Sequence, residues 1–272
     1  MNKIKQKIAV IGYKNSGKTT VVEALVKALV NKGFKVATVK HISEKNFSMD
    51  SEGRDTWRHK MAGAKIVAAV AENEIALIIK NGFKTFSIEK FLEPLNNFDV
   101  IIFEGFKNFL NDDKVAKVIC VRNEQEVKSF NEKAKGKIIS FCSFNSINET
   151  LKIPEDLSKL IELTLDFINF EKEIAEITIK LPMLNCKKCG YLSCKDLALK
   201  IYEGKASFNN CKILEEKHFI KTKLIINENE IPIQRFVAEM IRLTVLGMVS
   251  ALKGVSIKGD EKVFIEIKSE KQ

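Results

Sequence analysis

Gly12-Tyr13-Lys14-Asn15-Ser16-Gly17-Lys18-Thr19 has the spacing of a phosphate loop: two glycines separated by four residues, then a lysine and a hydroxyl residue. The backbone N–H groups of such a loop, with the positive end of the helix that follows, form a nest for polyphosphate. Lys18 is placed to reach the β- and γ-phosphates and Thr19 to hold Mg²⁺. Gly12, Tyr13, Lys14, Asn15, Ser16, Gly17, Lys18, Thr19 and Thr20 are therefore the expected nucleotide-binding set. A second reactive set lies far along the chain, where Cys186, Cys189, Cys194 and Cys211 are separated by two, four and sixteen residues. In a reducing compartment a quartet of this kind argues for metal rather than disulfides. Zinc and an iron–sulfur cluster both suit four thiolates. Only one Cys-x-x-Cys knuckle is present, whereas the common zinc pattern uses two.

These groups need elements to hold them. The apolar run Ile8-Ala9-Val10-Ile11 reads as a buried strand, and Thr20 to Val30 carries apolar residues at helical spacing, so strand, glycine turn and helix follow in order. Gly33 closes the helix, and Phe34 to Val39 reads as a second strand ending at Lys40-His41. Ligands of open α/β sheets collect at the carboxyl ends of strands, which puts Lys40, His41 and the following loop with Asp50 in position for function. Arg54 to Ala64 reads as a short charged helix. Lys65 to Val70 and Glu74 to Lys80 read as two strands joined by Ala71-Glu72-Asn73, an antiparallel addition to the sheet. Ser87 to Glu93 reads as a short helix ended by Pro94.

Phe98 to Phe106 reads as a buried parallel strand whose only acid at the carboxyl end is Glu104. Mg²⁺ beside phosphates takes one or two carboxylates, so Glu104 is the expected second metal-side acid. Asp99 lies at the wrong end. Val115 to Val121 and Lys137 to Cys142 supply two more core strands, and Pro154 to Phe170 a closing helix. Cys120 and Cys142 sit in apolar runs, where a free cysteine acts as a small hydrophobe. The Asn-Lys-x-Asp pattern that reads guanine in many GTPases is absent.

From Glu171 the composition shifts. Cys194 opens a helix that ends at Gly204. Thr222 to Ile226 reads as a strand, Pro232 to Leu252 as an amphipathic helix with Val237, Ile241, Val245, Met248 and Leu252 on one stripe, and Val263 to Ile267 as a final strand. The expected organisation is a P-loop nucleotide-binding domain of α/β class with a mostly parallel sheet over residues 1–170. A cysteine-quartet module over 171–218 and a small α+β segment over 219–272 follow.

At 272 residues and 45% apolar composition the chain can bury a substantial core. The net charge of +10 comes from scattered lysines, the pattern of a solvated surface rather than a nucleic-acid footprint. The longest apolar segment, Leu243 to Leu252, is far short of the roughly 20 residues that a membrane span needs. No apolar signal region precedes the first strand, which points to a cytoplasmic protein.

The phosphate loop, then Val39-Lys40-His41 with Asp50, then Gly53 to His59 with Ala62-Gly63-Ala64, then Glu104-Gly105-Phe106-Lys107, resemble in that order the molybdopterin-guanine dinucleotide biosynthesis protein B (MobB) family over residues 5 to 170. The resemblance implies a GTP- and Mg²⁺-binding, usually dimeric accessory protein with weak GTPase activity. Its partners would be molybdopterin and a MobA-like molybdopterin guanylyltransferase that joins GMP to it. Lys18, Glu104, His41 and Asp50 are the catalytic candidates that follow, with Thr19 and Glu104 on the metal. Family members often carry further histidines after the one matching His41; Ser43 and Glu44 stand there in this chain.

The cysteine spacing, with Gly190 after the second thiol, resembles the small 4Fe-4S domain of electron-transfer and carbon monoxide dehydrogenase-related proteins, with zinc as the alternative. The neighbouring Lys187, Lys188 and Lys195 would offset a negative cluster. The C-terminal half resembles extensions on archaeal MobB-like proteins. Two rival functions use the same parts. A nucleotide-driven cluster or metal carrier would gate release from the cysteines, although carriers of the deviant loop type place a lysine where Tyr13 stands. A small-molecule kinase would recruit Asp50 or Asp55 to position an acceptor.

Overall fold

A computed structural model of the chain describes residues 6–44, 47–80, 98–217, 222–255 and 263–266. Two compact units divide it, Met1–Asn169 and Phe170–Gln272. The first is built on a six-stranded sheet of β1 (Gln6–Gly12), β2 (Val36–Lys40), β5 (Val100–Glu104), β6 (Ala116–Cys120), β7 (Ile138–Ser143) and β8 (Leu151–Lys152), in the order β2-β5-β1-β6-β7-β8. Every pairing in it is parallel. Chain order reverses at β1, which has β5 on one side and β6 on the other. That makes the carboxyl end of β1 the switch point where an open parallel sheet leaves a crevice.

Both faces of the sheet are covered, so its strands read as continuous apolar runs. Ile8, Val10, Val100, Ile102, Val118 and Cys120 pack on one face with Val21, Leu25 and Leu29 of α1 (Lys18–Asn31) and with Leu160 and Ile168 of α4 (Leu157–Thr178). Ala9, Ile11, Ile101, Phe103 and Ile119 pack on the other with Val127 and Phe130 of α3 (Glu124–Lys133) and with Leu110 of a 3₁₀ turn, Lys107–Asn111. Alternate residues of one strand thus serve opposite layers.

Several elements depart from the sequence reading. The hairpin of β3 (Ile66–Val70) and β4 (Ile75–Ile79) forms, but as a separate two-stranded antiparallel sheet. Of its apolar residues Val67 is buried, while Ile66, Val70, Ile75 and Leu77 are exposed, so it has no face with which to extend the main core. The closing helix α4 starts after Asp156 and runs on to Thr178, because Glu171 to Thr178 contains no breaker and keeps the apolar spacing with Ile174. The division between the units falls within this helix. Helix α3 and β8 were not foreseen. The helix expected over Ser87 to Glu93 lies outside the described residues.

In the second unit α5 (Cys194–Tyr202), a 3₁₀ turn at Phe208–Asn210 and α6 (Lys212–Lys217) follow α4. Ile174, Leu181, Leu197, Ala198 and Ile213 form their core. A short antiparallel pair, β9 (Leu224–Ile226) and β10 (Asn229–Ile231), precedes α7 (Arg235–Ser250). The expected final strand is absent over the described residues 263–266. No helix among the described residues is long and apolar enough to cross a membrane.

Lys117 is the exception to the apolar rule in β6. Its side chain is fully buried, and its ammonium donates to the carbonyls of Asp112 and Val115, at 2.5 and 2.7 Å, and of Lys135. Burial holds its pKa below the usual lysine range. Three donors meet three acceptors, which ties the turn before β6 to the end of α3. Lys117→Met should therefore destabilise the fold by about 3 kcal/mol in urea titration, from leaving buried carbonyls without a donor. A loss below about 0.5 kcal/mol would mean that this network does not support the sheet.

Candidate nucleotide site and cysteine centre

The loop that joins β1 to α1 depends on a missing side chain. A Cβ on Gly12 would lie 2.3 Å from the Cys120 carbonyl oxygen and 2.5 Å from Ser16 Oγ, so only glycine lets the end of β1 run this close to β6. Asn15 and Gly17 adopt left-handed φ values of 59° and 93°. Such turns aim successive N–H groups at one point and make an anion cradle. Ser16, 1% exposed, donates from Oγ to the Tyr13 carbonyl at 2.9 Å, and Lys18 Nζ donates to the same oxygen. Burial lowers the Lys18 pKa, with nearby Glu104 among the groups that oppose the shift.

Glu104 closes the other side. It ends β5, paired in register with Val10 of β1 and Lys40 of β2, and is 8% exposed. Its Oε1 accepts from Thr19 Oγ1 at 2.9 Å and pairs with Lys40 Nζ at 3.0 Å. Two oxygens suited to a hard divalent cation therefore already meet at the first residue pair of α1, beside the cradle. The Thr19 and Glu104 positions read from sequence come together. Lys40, expected from its strand-end place to serve function but with no role assigned, supplies the positive charge beside a nearly buried carboxylate.

His41 and Asp50 are placed differently. The backbone N–H of His41 donates to the Glu104 carbonyl at 2.8 Å, and its ring meets Phe106 edge-on at 5.3 Å, so the residue backs the end of β5. Asp50 is held within the excursion that follows β2. Its Oδ1 accepts from Thr56 Oγ1 at 2.9 Å on α2 (Asp55–Met61), and Oδ2 lies 3.8 Å from Lys60 Nζ. Those contacts fix the loop to α2. Tyr13 was expected in the nucleotide-binding set through its place in the loop, with no role for its ring. Its ring is flanked by Lys107 Nζ at 4.4 Å and the Arg122 guanidinium at 5.1 Å, with Phe130 at 5.7 Å.

In the second unit Cys186, Cys189, Cys194 and Cys211 line one hollow, together with Leu184, Leu197 and Ile213. The segment that shapes it turns through left-handed φ at Asn185, Lys187 and Gly190. Asn185 Oδ1 accepts from Cys194 N at 2.8 Å, and Ser193 caps α5 through Asp196 N at 3.1 Å. Cys194 thus stands at the start of α5. Among the described residues no three Cys, His, Asp or Glu side chains converge as they would on one ion. The donor set and its apolar lining fit a thiolate-held cluster. Of the three lysines expected to offset its charge, Lys195 instead pairs with Glu171 at 2.9 Å.

The remaining thiols, Cys120 and Cys142, are buried on neighbouring strands. Burial pushes both pKa values up, that of Cys142 to about 12.

Comparison with known proteins agrees with this division. The model of the family "Molybdopterin guanine dinucleotide synthesis protein B" matches residues 7–143, and that of a family described as "Putative Fe-S cluster" matches residues 181–213, which hold all four cysteines. A protein of Methanocaldococcus jannaschii named "Putative molybdopterin-guanine dinucleotide biosynthesis adapter protein" is 28% identical over 262 residues, 96% of this chain and 97% of its own length. The "Acetyl-CoA decarbonylase/synthase complex subunit gamma" of the same organism is 48% identical over 48 residues, 18% of this chain and 10% of that protein. The solved structure of a MobB protein homolog from Bacillus stearothermophilus is 22% identical and covers 62% of this chain and 99% of its own, with a TM-score of 0.45.

Alkylation separates the two classes of thiol. At about pH 8, iodoacetamide applied to the native, metal-stripped chain should label Cys186, Cys189 and Cys194 within minutes and spare Cys120 and Cys142 until urea is added, read by peptide mass spectrometry. Early labelling of Cys120 would contradict its burial behind Gly12.

Proposed function

Because the chain belongs to the molybdopterin guanine dinucleotide synthesis protein B family, we propose that it is a GTP-binding adaptor in the assembly of the guanine dinucleotide form of the molybdenum or tungsten cofactor. The observation that carries the nucleotide part is the phosphate cradle at the switch point of the sheet, with Thr19 Oγ1 and Glu104 Oε1 2.9 Å apart beside it. In this reading the backbone of Gly12 to Thr20 cradles the phosphates and Lys18 neutralises them. Thr19 and Glu104 would hold Mg²⁺, which would supply charge to polarise the terminal phosphate. Lys40 orients the Glu104 carboxylate through its ion pair at 3.0 Å. His41 lines the edge of the same site, and Asp50 acts as a positioning residue for the loop between β2 and α2. Hydrolysis by such a constellation is slow at most, and the protein's task is to present nucleotide and partners to one another.

The partners proposed are molybdopterin and a MobA-like guanylyltransferase. A second copy of the chain is proposed as well, supported by the exposed Ile66, Val70, Ile75 and Leu77 of the β3–β4 hairpin. The cysteine centre is proposed to hold a 4Fe-4S cluster through Cys186, Cys189, Cys194 and Cys211. The hollow that the four thiols share, with its apolar lining, supports a thiolate-held cluster, with zinc as the alternative.

The two centres should be separable. Lys18→Ala should weaken Mg²⁺-GTP binding about a hundredfold by calorimetry, through the lost charge-assisted contacts to phosphate. It should leave about four irons and four sulfides per chain after anaerobic purification. Cys189→Ser should do the reverse. Loss of both properties in either variant would contradict two independent centres.

A further inference from the structure

The metal-side groups Thr19, Glu104 and Lys40 all lie toward β5 and β2, on one side of β1. Terminal phosphates held there leave the nucleoside to exit over the opposite strand ends, those of β6, β7 and β8. An aromatic ring of the described residues stands at the end of β7. Phe144 follows the last residue of β7 and is 47% exposed. It lies against the loop itself: a Cβ on Gly17 would sit 3.0 Å from Phe144 Cε2 and 3.2 Å from Cζ. Tyr13, the other aromatic of the loop region, has its ring engaged by Lys107, Arg122 and Phe130. No ring or cation among the described residues contacts Phe144.

Asn145 is beside it and is pre-positioned. Its backbone N–H donates to Ser143 Oγ at 3.1 Å, and its Nδ2 donates to the Arg122 carbonyl at 3.3 Å, which spans the ends of β7 and β6. That leaves one amide N–H and the amide oxygen of an exposed side chain to face a ligand. A flat apolar face next to a fixed donor and acceptor is what a purine base requires: sequence-tolerant stacking from the ring and edge recognition from the amide.

We infer that Phe144 and Asn145 form the base subsite, with Phe144 stacking on the purine of the bound nucleotide and Asn145 bonding its edge. The inference rests on the nucleotide reading above and adds to it the residues that separate nucleotide from bare phosphate. The Asn-Lys-x-Asp pattern that reads guanine in many GTPases is absent from the sequence, so base recognition falls to other residues.

Binding of three probes to the full chain tests it by calorimetry in Mg²⁺: GTP, ATP and inorganic tripolyphosphate. Phe144→Ala should weaken GTP about tenfold and leave tripolyphosphate unchanged, and Phe144→Trp should retain GTP binding. Asn145→Ala should change the GTP-to-ATP affinity ratio at least about fivefold. Equal losses for GTP and tripolyphosphate in Phe144→Ala would mean that the ring only supports Gly17, and the inference would fall. No loss for either probe would overturn it too. If the unsubstituted chain bound none of the three probes, the nucleotide reading would fail first, and the base subsite with it.

Discussion

A single carboxylate oxygen organises the first unit. Glu104 Oε1 receives the Thr19 hydroxyl and the Lys40 ammonium, so one group joins α1, β5 and β2 at the carboxyl edge of the sheet. A nearly buried carboxylate is costly to keep ionised unless a cation and a donor meet it. Here both come from residues whose positions are set by parallel pairing: Lys40 faces Glu104 in register across β2 and β5, and Thr19 sits in the first turn of α1. The geometry of the three groups is thereby set by the sheet and the helix that carry them, the kind of preorganisation an electrostatic site depends on.

The register needs a close approach elsewhere. Gly12 lets β1 pass against the Cys120 carbonyl, and the alternation of Ile8 and Val10 with Ala9 and Ile11 locks β1 between two apolar layers. Burial on both faces prevents a one-residue slip, because a slip would exchange the layers without offering either a better fit. The cysteine centre has a comparable logic on a smaller scale, since Leu181, Leu197 and Ile213 form the apolar floor behind the thiols.

The sequence revealed what is local. The glycine and lysine spacing of the loop, the lone acid ending the Val100 run and the thiol quartet each announce their chemistry within a few residues. Non-local facts were not legible. The Lys40 partnership depends on β2 lying beside β5, and the exposure of Phe144 depends on β7 ending over Gly17. Alternation and turn residues revealed the β3–β4 hairpin but not which sheet it joins, because edge pairing is decided by burial, and its outward apolar residues bury nothing. Helix α3 was missed although Asn123 followed by Glu126 is a capping signal; Asn123 Oδ1 accepts from Glu126 N at 3.0 Å. Asp50 was read as a site residue from its place after a strand end; its hydrogen bond from Thr56 and its ion pair with Lys60 depend on how the loop folds onto α2 and were not legible.

The proposed function makes the cradle a site for a metal-bound nucleoside triphosphate. The direct measurement is calorimetric titration of GTP into the full chain, once with Mg²⁺ and once with EDTA. If Thr19 and Glu104 share a cation with the phosphates, Mg²⁺ should tighten binding at least about tenfold. Binding indifferent to Mg²⁺, or no binding in either buffer, would contradict a triphosphate site built around Glu104.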